Sequence, residues 1–252
     1  MDLGIQNRVA MVAAASKGLG RAIAEALQAE GCRVSGFARS IEPWDGDMLA
    51  VQGDIAKPED LQRWFDETVR RFGQVDILVT NTGGPPAAPF LKLTEEQWTL
   101  GVESTLMNVV RLCRLVIPDM QKRKWGRIVN LTSFVAKQPT ELLTVSSTLR
   151  AGLSALTKTL SDQVARDGIL VNAILPGHFM TDRQKQLSQI RSEQQGITPE
   201  AYLAKSVEAI PLGRYGRPEE LASVAAFLCS ERASYLTGAS IQIDGGQYRG
   251  TF

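Results

Sequence analysis

Short apolar runs alternate with amphipathic stretches along nearly the whole chain. Apolar runs of this length predict buried strands, and apolar residues that recur with a period near 3.6 predict helices. The predicted strands are Val9–Ala15, Arg33–Ala38, Leu49–Gln52, Val75–Thr80, Ile128–Leu131, Ile169–Leu175 and Ser240–Ile243. The predicted helices are Leu19–Glu30, a segment opened by Pro58, Glu95–Lys122, the apolar stripe from Leu149 to Val164, and a last one with Leu221 and Leu228.

The order of these elements predicts a parallel sheet covered by helices on both faces, because parallel strands need long crossover connections. No linker or internal repeat interrupts the 252 residues, so we expect one three-layered α/β domain over residues 1–252. The least regular segment, residues 181–217, is rich in Gln, Ser and charge. It predicts either a substrate lid made of two short helices or a merely solvated insertion.

Composition and charge exclude several classes of partner. Lys plus Arg number 28 and Asp plus Glu 27, which gives no bulk electrostatic reason to expect nucleic acid or a membrane as a partner. The three cysteines are far apart and the chain has one histidine, which disfavours a disulfide scaffold and a metal site. No apolar run approaches the length of a membrane helix, so we expect a cytoplasmic protein.

A glycine-rich segment, Ala14-x-x-x-Gly18-x-Gly20, lies between the first predicted strand and the first predicted helix. Glycine suits this position because a pyrophosphate must approach the backbone and accept N–H bonds at the positively polarised start of the helix. The segment therefore predicts a dinucleotide site in which Ser16, Lys17 and Leu19 also take part. The alternative is a glycine-rich turn without a ligand.

The end of the second predicted strand bears on the choice of cofactor. Dinucleotide folds place an acidic residue there for a ribose 2′-hydroxyl, or an arginine for a 2′-phosphate. Here Arg39 follows Ala38, and Lys17 adds a second cation within the glycine-rich segment. Both residues favour NADP(H), with NAD(H) still possible, unless Arg39 is simply a solvated charge at the end of a strand.

Further motifs follow the other strands, and with the glycine segment they resemble the short-chain dehydrogenase/reductase family over essentially the whole chain. They are Gly53-Asp54-Ile55, Asn81-Thr82-Gly83, Gly126-Arg127-Ile128-Val129-Asn130, Pro176-Gly177 with Thr181, Pro211-Leu212-Gly213-Arg214, Pro218-Glu219-Glu220 and Asp244-Gly245-Gly246. The resemblance implies a Rossmann-type doubly wound sheet.

The same resemblance implies contacts and partners. It implies that Asp54 and Ile55 contact the adenine and that Pro176, Gly177 and Thr181 lie beside the nicotinamide, with Asn81 and Gly83 also at the cofactor. It further implies a homotetramer or homodimer packed through the long helices and the C-terminal strand. Within the family the chain resembles 3-oxoacyl-carrier-protein reductases, although no residue of the sequence identifies the substrate.

The catalytic residues depart from the family's pattern. The family uses a Ser that orients the substrate carbonyl, a Tyr that transfers its proton, a Lys that holds the ribose, and an Asn that supports a water relay. Ser133 matches the Ser, but Ser146 stands in the place of the Tyr and Arg150 in that of the Lys. Thr105 takes the Asn position, with Asn108 a helical turn further on.

These replacements change the available proton chemistry. A serine hydroxyl donates a hydrogen bond but has no accessible ionised form comparable to that of tyrosine, and arginine stays charged. We hypothesise that His178, in the loop after Pro176 and Gly177, protonates a carbonyl oxygen held by Ser133 and Ser146, since imidazole exchanges protons near neutral pH. The alternative is a polar loop residue that faces solvent. For Lys137 and Glu141 the sequence leaves two alternatives: side chains that line the pocket, or solvated loop charges.

Three hypotheses follow. The first is an NADP(H)-dependent oxidoreductase that interconverts a small-molecule carbonyl and a secondary alcohol through an atypical active site. The second is a catalytically silent NADP(H)-binding sensor or scaffold on the same fold, which the loss of both Tyr and Lys supports. The third, an interaction domain without a cofactor, leaves the glycine segment, Asp54, Asn81 and Arg39 as coincidences.

Overall fold

Over residues 2–43 and 47–251, which the computed structural model describes, the chain forms one parallel sheet of seven strands in the order β3-β2-β1-β4-β5-β6-β7. The strands are β1 (Val9–Ala13), β2 (Arg33–Ala38), β3 (Met48–Gln52), β4 (Ile77–Thr80), β5 (Gly126–Leu131), β6 (Ile169–Pro176) and β7 (Ser240–Ile243). The chain starts at the centre, runs outward to β3, returns to β4 beside β1, and then runs outward the other way. This is the doubly wound order.

Helices connect the strands on both faces. They are α1 (Gly18–Ala29), α2 (Pro58–Phe72), α3 (Glu95–Gly101), α4 (Asn108–Arg123), α5 (Thr144–Val164), α6 (Asp182–Gln195), α7 (Pro199–Ser206) and α8 (Pro218–Leu228). Among the described residues, none of these helices combines the length and the apolarity needed to cross a membrane.

The sheet is sandwiched between two buried apolar clusters, one on each face. On one face Ile23 and Leu27 of α1 pack with Ala225 of α8 against strand residues. On the other face Trp64 of α2 and Leu112 of α4 belong to a cluster that also includes residues of α5. The predicted three-layered, doubly wound α/β architecture is confirmed.

Some predicted elements differ locally from the observed ones. The first strand ends at Ala13, earlier than predicted, because Ala14 has a positive φ of 52° and turns the chain out of the sheet. The predicted helix Glu95–Lys122 contains a π-helical turn at Val102–Met107, which separates α3 from α4. Segment 181–217 contains two helices, α6 and α7, and its role as a lid stays a prediction.

Candidate active site

Most of the candidate residues gather along one edge of the sheet because all the strands are parallel and these candidates lie in loops that follow strand ends. The edge has a topological switch point between β1 and β4, where successive connections leave in opposite directions. In open α/β sheets a crevice forms outside the carboxyl ends of the strands at such a point. The loop after β1 therefore faces the loops after β4, β5 and β6.

The glycine segment begins with a strained turn that sets the approach of α1. The amide of Ala15 donates to the carbonyl of Phe37 over 3.2 Å, which ties the loop to the end of β2. A side chain at Gly20 would place its Cβ 2.3 Å from the carbonyl oxygen of Ala14. Only glycine permits the helix to start this close to the strand.

The start of α1 is open to an anion. Its N-cap residue, Lys17, has an extended backbone and an exposed side chain that forms no capping hydrogen bond, and no acidic residue occupies the first turn. The first amides of a helix have no acceptor within it and carry a positive partial charge. Ser16 and Leu19 are half-buried beside them. Gly18 lies against the other side of the crevice, because a Cβ there would stand 3.4 Å from Thr181 Cγ2.

The other cofactor candidates lie farther along the same edge. Arg39 is exposed directly after β2. After β3, Asp54 folds into a tight turn in which its Oδ1 accepts the Ala56 amide over 3.0 Å, and its own amide donates to Asp60 Oδ2 over 2.9 Å. These bonds hold the backbone at the expected adenine side. Of the remaining cofactor candidates, Ile55 and Asn81 are half-buried and Gly83 is exposed.

Ser133, Ser146 and Arg150 lie around the end of β5 and the start of α5. Ser133 caps a short 3-10 helix, Phe134–Ala136, and its Oγ accepts the Val135 amide over 3.3 Å. Ser146 is buried in the first turn of α5, and Arg150 is buried one turn later.

The guanidinium of Arg150 binds the protein itself. Its Nε donates to Ser146 Oγ over 3.2 Å, and one terminal nitrogen donates to the carbonyls of Leu131 at 3.2 Å and Thr132 at 2.5 Å. The side chain thus ties the first turns of α5 to the end of β5 and holds the Ser146 hydroxyl. Family resemblance alone did not predict this arrangement.

A buried polar chain that sequence reasoning missed fixes α5 below the site. Thr80 donates to Asn130 Oδ1 over 2.7 Å, and Asn130 Nδ2 donates to Thr157 Oγ1 over 2.9 Å. Thr157 in turn donates to the Leu153 carbonyl. A buried asparagine needs partners for both its donors and its acceptors. The signal in the sequence was Asn130, a polar residue in the fully buried strand β5.

The two residues considered for the water relay have different surroundings. Thr105 is fully buried in the π-helical turn, and its hydroxyl has no hydrogen-bond partner among the residues that the structure describes. Asn108 donates instead to the carbonyl of Ser104 in the π-helical turn, over 2.9 Å. Asn108 therefore stabilises the wide turn.

His178 lies close to the segment that carries Ser133. It is half-buried after Pro176 and Gly177, and its ring centroid is 5.5 Å from that of Phe134. Its Nδ1 is 2.8 Å from Gln247 Oε1, and Tyr215 meets the ring edge-on at 5.9 Å. Nothing in the sequence near residue 178 indicated these two neighbours.

Two further candidates, Lys137 and Glu141, differ in exposure. Lys137 is half-buried, with Nζ 5.6 Å from the centroid of the Tyr248 ring, and Glu141 is exposed. Within the described ranges, no group of three or more His, Cys, Asp or Glu side chains is arranged to hold a metal ion.

An ion pair holds the segment that presents Tyr215. Both terminal nitrogens of Arg214 donate to the Glu220 carboxylate, over 2.9 and 2.7 Å. The Arg214 guanidinium, together with the Arg217 amide, lowers the pKa of the Glu220 carboxyl to about 2. The pair therefore stays ionised at neutral pH and links this segment to the start of α8.

The order of the sheet, the open start of α1 and the crevice at the switch point define a dinucleotide-binding fold of the Rossmann type. Residues 13–247 match a protein-family model described as "Enoyl-(Acyl carrier protein) reductase". The chain belongs to the short-chain dehydrogenase/reductase family.

Individual relatives span the whole chain. The 3-oxoacyl-(acyl-carrier-protein) reductase FabG of Vibrio cholerae serotype O1 is 33% identical over 253 residues, covering 98% of this chain and 99% of that protein. The L-sorbose reductase of Gluconobacter frateurii, solved in complex with NADPH and L-sorbose, has a TM-score of 0.95 at 32% identity and covers 99% of this chain and 100% of its own. YwfH, an NADPH-dependent reductase involved in bacilysin biosynthesis, has a TM-score of 0.90 at 27% identity, covering 97% and 100%.

Proposed function

We propose that the protein is an NADP(H)-dependent oxidoreductase that interconverts a carbonyl group and a secondary alcohol. The observation that carries the proposal is the open, positively polarised start of α1, which lies across one crevice from Thr181 and the loop of His178. NADPH is named for both the L-sorbose reductase and YwfH, which share the fold.

The residues present fit a dinucleotide. The first amides of α1 bind the pyrophosphate, and the two exposed cations, Lys17 and Arg39, bind the 2′-phosphate. Family resemblance assigns the adenine to Asp54 and Ile55. Remaining contacts fall to Asn81, Gly83, Arg150, Pro176, Gly177 and Thr181 at the carboxyl edge. When bound, the nicotinamide supplies or accepts the hydride.

The chain's own residues supply the rest of the reaction. The hydroxyls of Ser133 and Ser146 donate hydrogen bonds to the carbonyl oxygen, and His178 transfers the proton. Arg150 holds the Ser146 hydroxyl and places a fixed positive charge beneath it, which stabilises negative charge on the substrate oxygen. Arginine does not release its proton, so it takes no part in the relay.

One observation favours the second candidate function, a silent NADP(H)-binding sensor or scaffold. Arg150 donates to two backbone carbonyls and to Ser146, which makes it part of the protein's structural hydrogen bonding. The site lacks the family's tyrosine, and its cation, Arg150, is held by backbone carbonyls. Such a site can lose turnover and still bind the cofactor.

A substrate panel distinguishes the two functions. Its members are ketoses, including L-sorbose, 3-oxoacyl thioesters and simple cyclic ketones, each tested with NADPH and, as a control for cofactor choice, with NADH. We expect at least one carbonyl to be reduced, with one NADPH oxidised for each alcohol formed. Binding of NADPH without turnover of any member supports the sensor or scaffold.

We also propose that the protein is a homo-oligomer packed through its long helices. A largely apolar groove of about 430 Å³ opens between α4 and α5. Its lining residues are Val110, Cys113, Arg114, Ile117, Pro118, Leu156 and Leu160. Burial of such a surface against a second copy removes apolar area from water, which supports the association that the family resemblance implies.

A further inference from the structure

One ring nitrogen of His178 has a fixed partner. Nδ1 lies 2.8 Å from Oε1 of Gln247, and an amide oxygen can only accept a hydrogen bond. Nδ1 must therefore carry the hydrogen of this bond. In the neutral ring Nε2 is then the unprotonated nitrogen, and it is the only nitrogen that gains or loses a proton without breaking the bond to Gln247.

The plane of the imidazole is also fixed. Phe134 packs against the ring at 5.5 Å with an interplanar angle of 46°, and Tyr215 meets it edge-on at 88°. Tyr215 is itself buried, and its hydroxyl lies 3.1 Å from Gln184 Nε2 and 2.7 Å from Ser206 Oγ. Both neighbours are thus held by other elements, so the ring has little freedom to turn.

Gln247 comes from a short segment after β7, residues 244–248, that we call the C-terminal hook. The Asp244 carboxylate accepts the Gly246 amide on Oδ1 and the Tyr248 amide on Oδ2, each over 2.9 Å. These two bonds fix the backbone on both sides of Gln247. The hook is therefore shaped by a single carboxylate.

The hook is held against the residue that precedes His178. A Cβ on Gly177 would stand 2.6 Å from Cβ of Asp244, so glycine is required for this approach. The Gly177 amide donates to the Ile243 carbonyl over 2.9 Å. Lys137, beyond the Ser133 segment, places Nζ 5.6 Å from the centroid of the Tyr248 ring. The hook thus contacts both loops that carry candidate catalytic residues.

The partner of Nδ1 is neutral. Within the described ranges, the groups that contact the imidazole by a hydrogen bond or by ring packing are the Gln247 amide and the rings of Phe134 and Tyr215. Among the described residues, no carboxylate forms an ion pair with it. A neutral acceptor selects the Nδ1–H tautomer but does not hold a proton on Nε2. Nε2 can therefore lose its proton and regain it in each turnover.

We propose that Gln247 is a positioning residue that holds His178 in the Nδ1–H tautomer and reserves Nε2 for proton transfer. The proposal rests on the proposed function in assigning that transfer to His178. In reduction, the Nε2–H bond of the imidazolium breaks and an O–H bond forms on the carbonyl oxygen as the carbonyl carbon receives hydride. The ring is left neutral with Nδ1–H still bonded to Gln247, and solvent returns the proton to Nε2.

Nitrogen NMR of the whole protein tests the tautomer directly, because the chain has one histidine and therefore one imidazole signal set. With ¹⁵N-labelled histidine and the ring neutral, we expect the hydrogen on Nδ1. Gln247→Leu removes the acceptor and should shift the population toward Nε2–H. Gln247→Glu keeps an oxygen acceptor and should restore Nδ1–H. Gln62→Leu, on the exposed face of α2, is the matched control and should leave the tautomer unchanged.

Kinetics separate this proposal from the function on which it rests. We expect Gln247→Leu to lower kcat by roughly 10-fold or more, with the KM for NADPH unchanged. A wild-type ring protonated on Nε2, or a tautomer that Gln247→Leu does not change, overturns the proposal. A tautomer that shifts as expected while kcat stays constant retains the positioning role and overturns the assignment of proton transfer to His178.

Discussion

Replacing His178 with Asn is expected to lower turnover by roughly 10²- to 10⁴-fold while the affinity for NADPH stays unchanged. The side-chain amide of Asn offers an N–H donor that can still reach Gln247 Oε1, so local structure is preserved. It has no group that titrates near neutral pH, so the proton on the carbonyl oxygen has to come from water. Steady-state rates with the best substrate of the panel measure the loss.

The control for this substitution is cofactor binding. His178 is not among the residues assigned to the dinucleotide, so titration of His178→Asn with NADPH should match the wild type. Reduced turnover with intact binding supports a role in the chemical step. An unchanged rate would remove His178 from the mechanism and leave assistance to the carbonyl with the hydroxyls of Ser133 and Ser146.

At the opposite edge of the sheet, replacing Asp76 with Ala is expected to cost about 3 kcal/mol of unfolding free energy, or more. The Asp76 side chain is fully buried and binds two arginines: Arg8 at 3.5 Å and Arg123 through a hydrogen bond. Its Oδ2 also accepts the Val9 amide over 2.9 Å. Removal leaves that amide buried without its acceptor and takes one carboxylate away from two arginines, which keep Glu231 (for Arg8) and Asp119 (for Arg123). Urea denaturation monitored by circular dichroism measures the change.

A matched control for Asp76 is Asp162→Ala on α5. Asp162 pairs with Lys158 over 2.8 Å, but both side chains are more than 60% exposed, at 63% and 62%. Exposed pairs of this kind contribute about 0–1 kcal/mol. A loss in Asp76→Ala no larger than in Asp162→Ala would show that the buried carboxylate does not stabilise the sheet edge.

Much of the fold was predictable because its elements have strong local signals. The strands Arg33–Ala38 and Ser240–Ile243 have the predicted bounds, and α2 starts at Pro58, a residue suited to the first turn of a helix. The positive φ of Ala14 was not predictable, since alanine seldom adopts that conformation. Nor was the π-helical turn Val102–Met107, because the apolar pattern runs through it without a break.

The side of the sheet on which the candidate residues lie was predictable, but their hydrogen bonds were not. Candidates that follow strand ends must meet at one edge of a parallel sheet, as Ser133, Arg39 and His178 do. The partners of these residues are set by tertiary contacts. Arg150 turns inward to the Leu131 and Thr132 carbonyls. His178 forms a hydrogen bond with Gln247, which lies 69 residues further along the sequence. No spacing in the sequence encodes either contact.

A cofactor titration tests whether this site binds NADP(H) in preference to NAD(H). Wild-type protein, Arg39→Ala and Arg70→Ala are titrated with NADPH and NADH, with binding followed by energy transfer from tryptophan to nicotinamide. Arg70 is an exposed cation in the last turn of α2, away from the glycine segment, so it controls for the loss of one charge.

We expect the wild type and Arg70→Ala to bind NADPH more tightly than NADH. Loss of one charge-assisted contact in Arg39→Ala should weaken NADPH by roughly 10- to 100-fold and leave NADH unchanged. Equal binding of both cofactors in all three proteins would contradict the assignment of Arg39. Failure to bind either cofactor would contradict the assignment of this crevice to a dinucleotide.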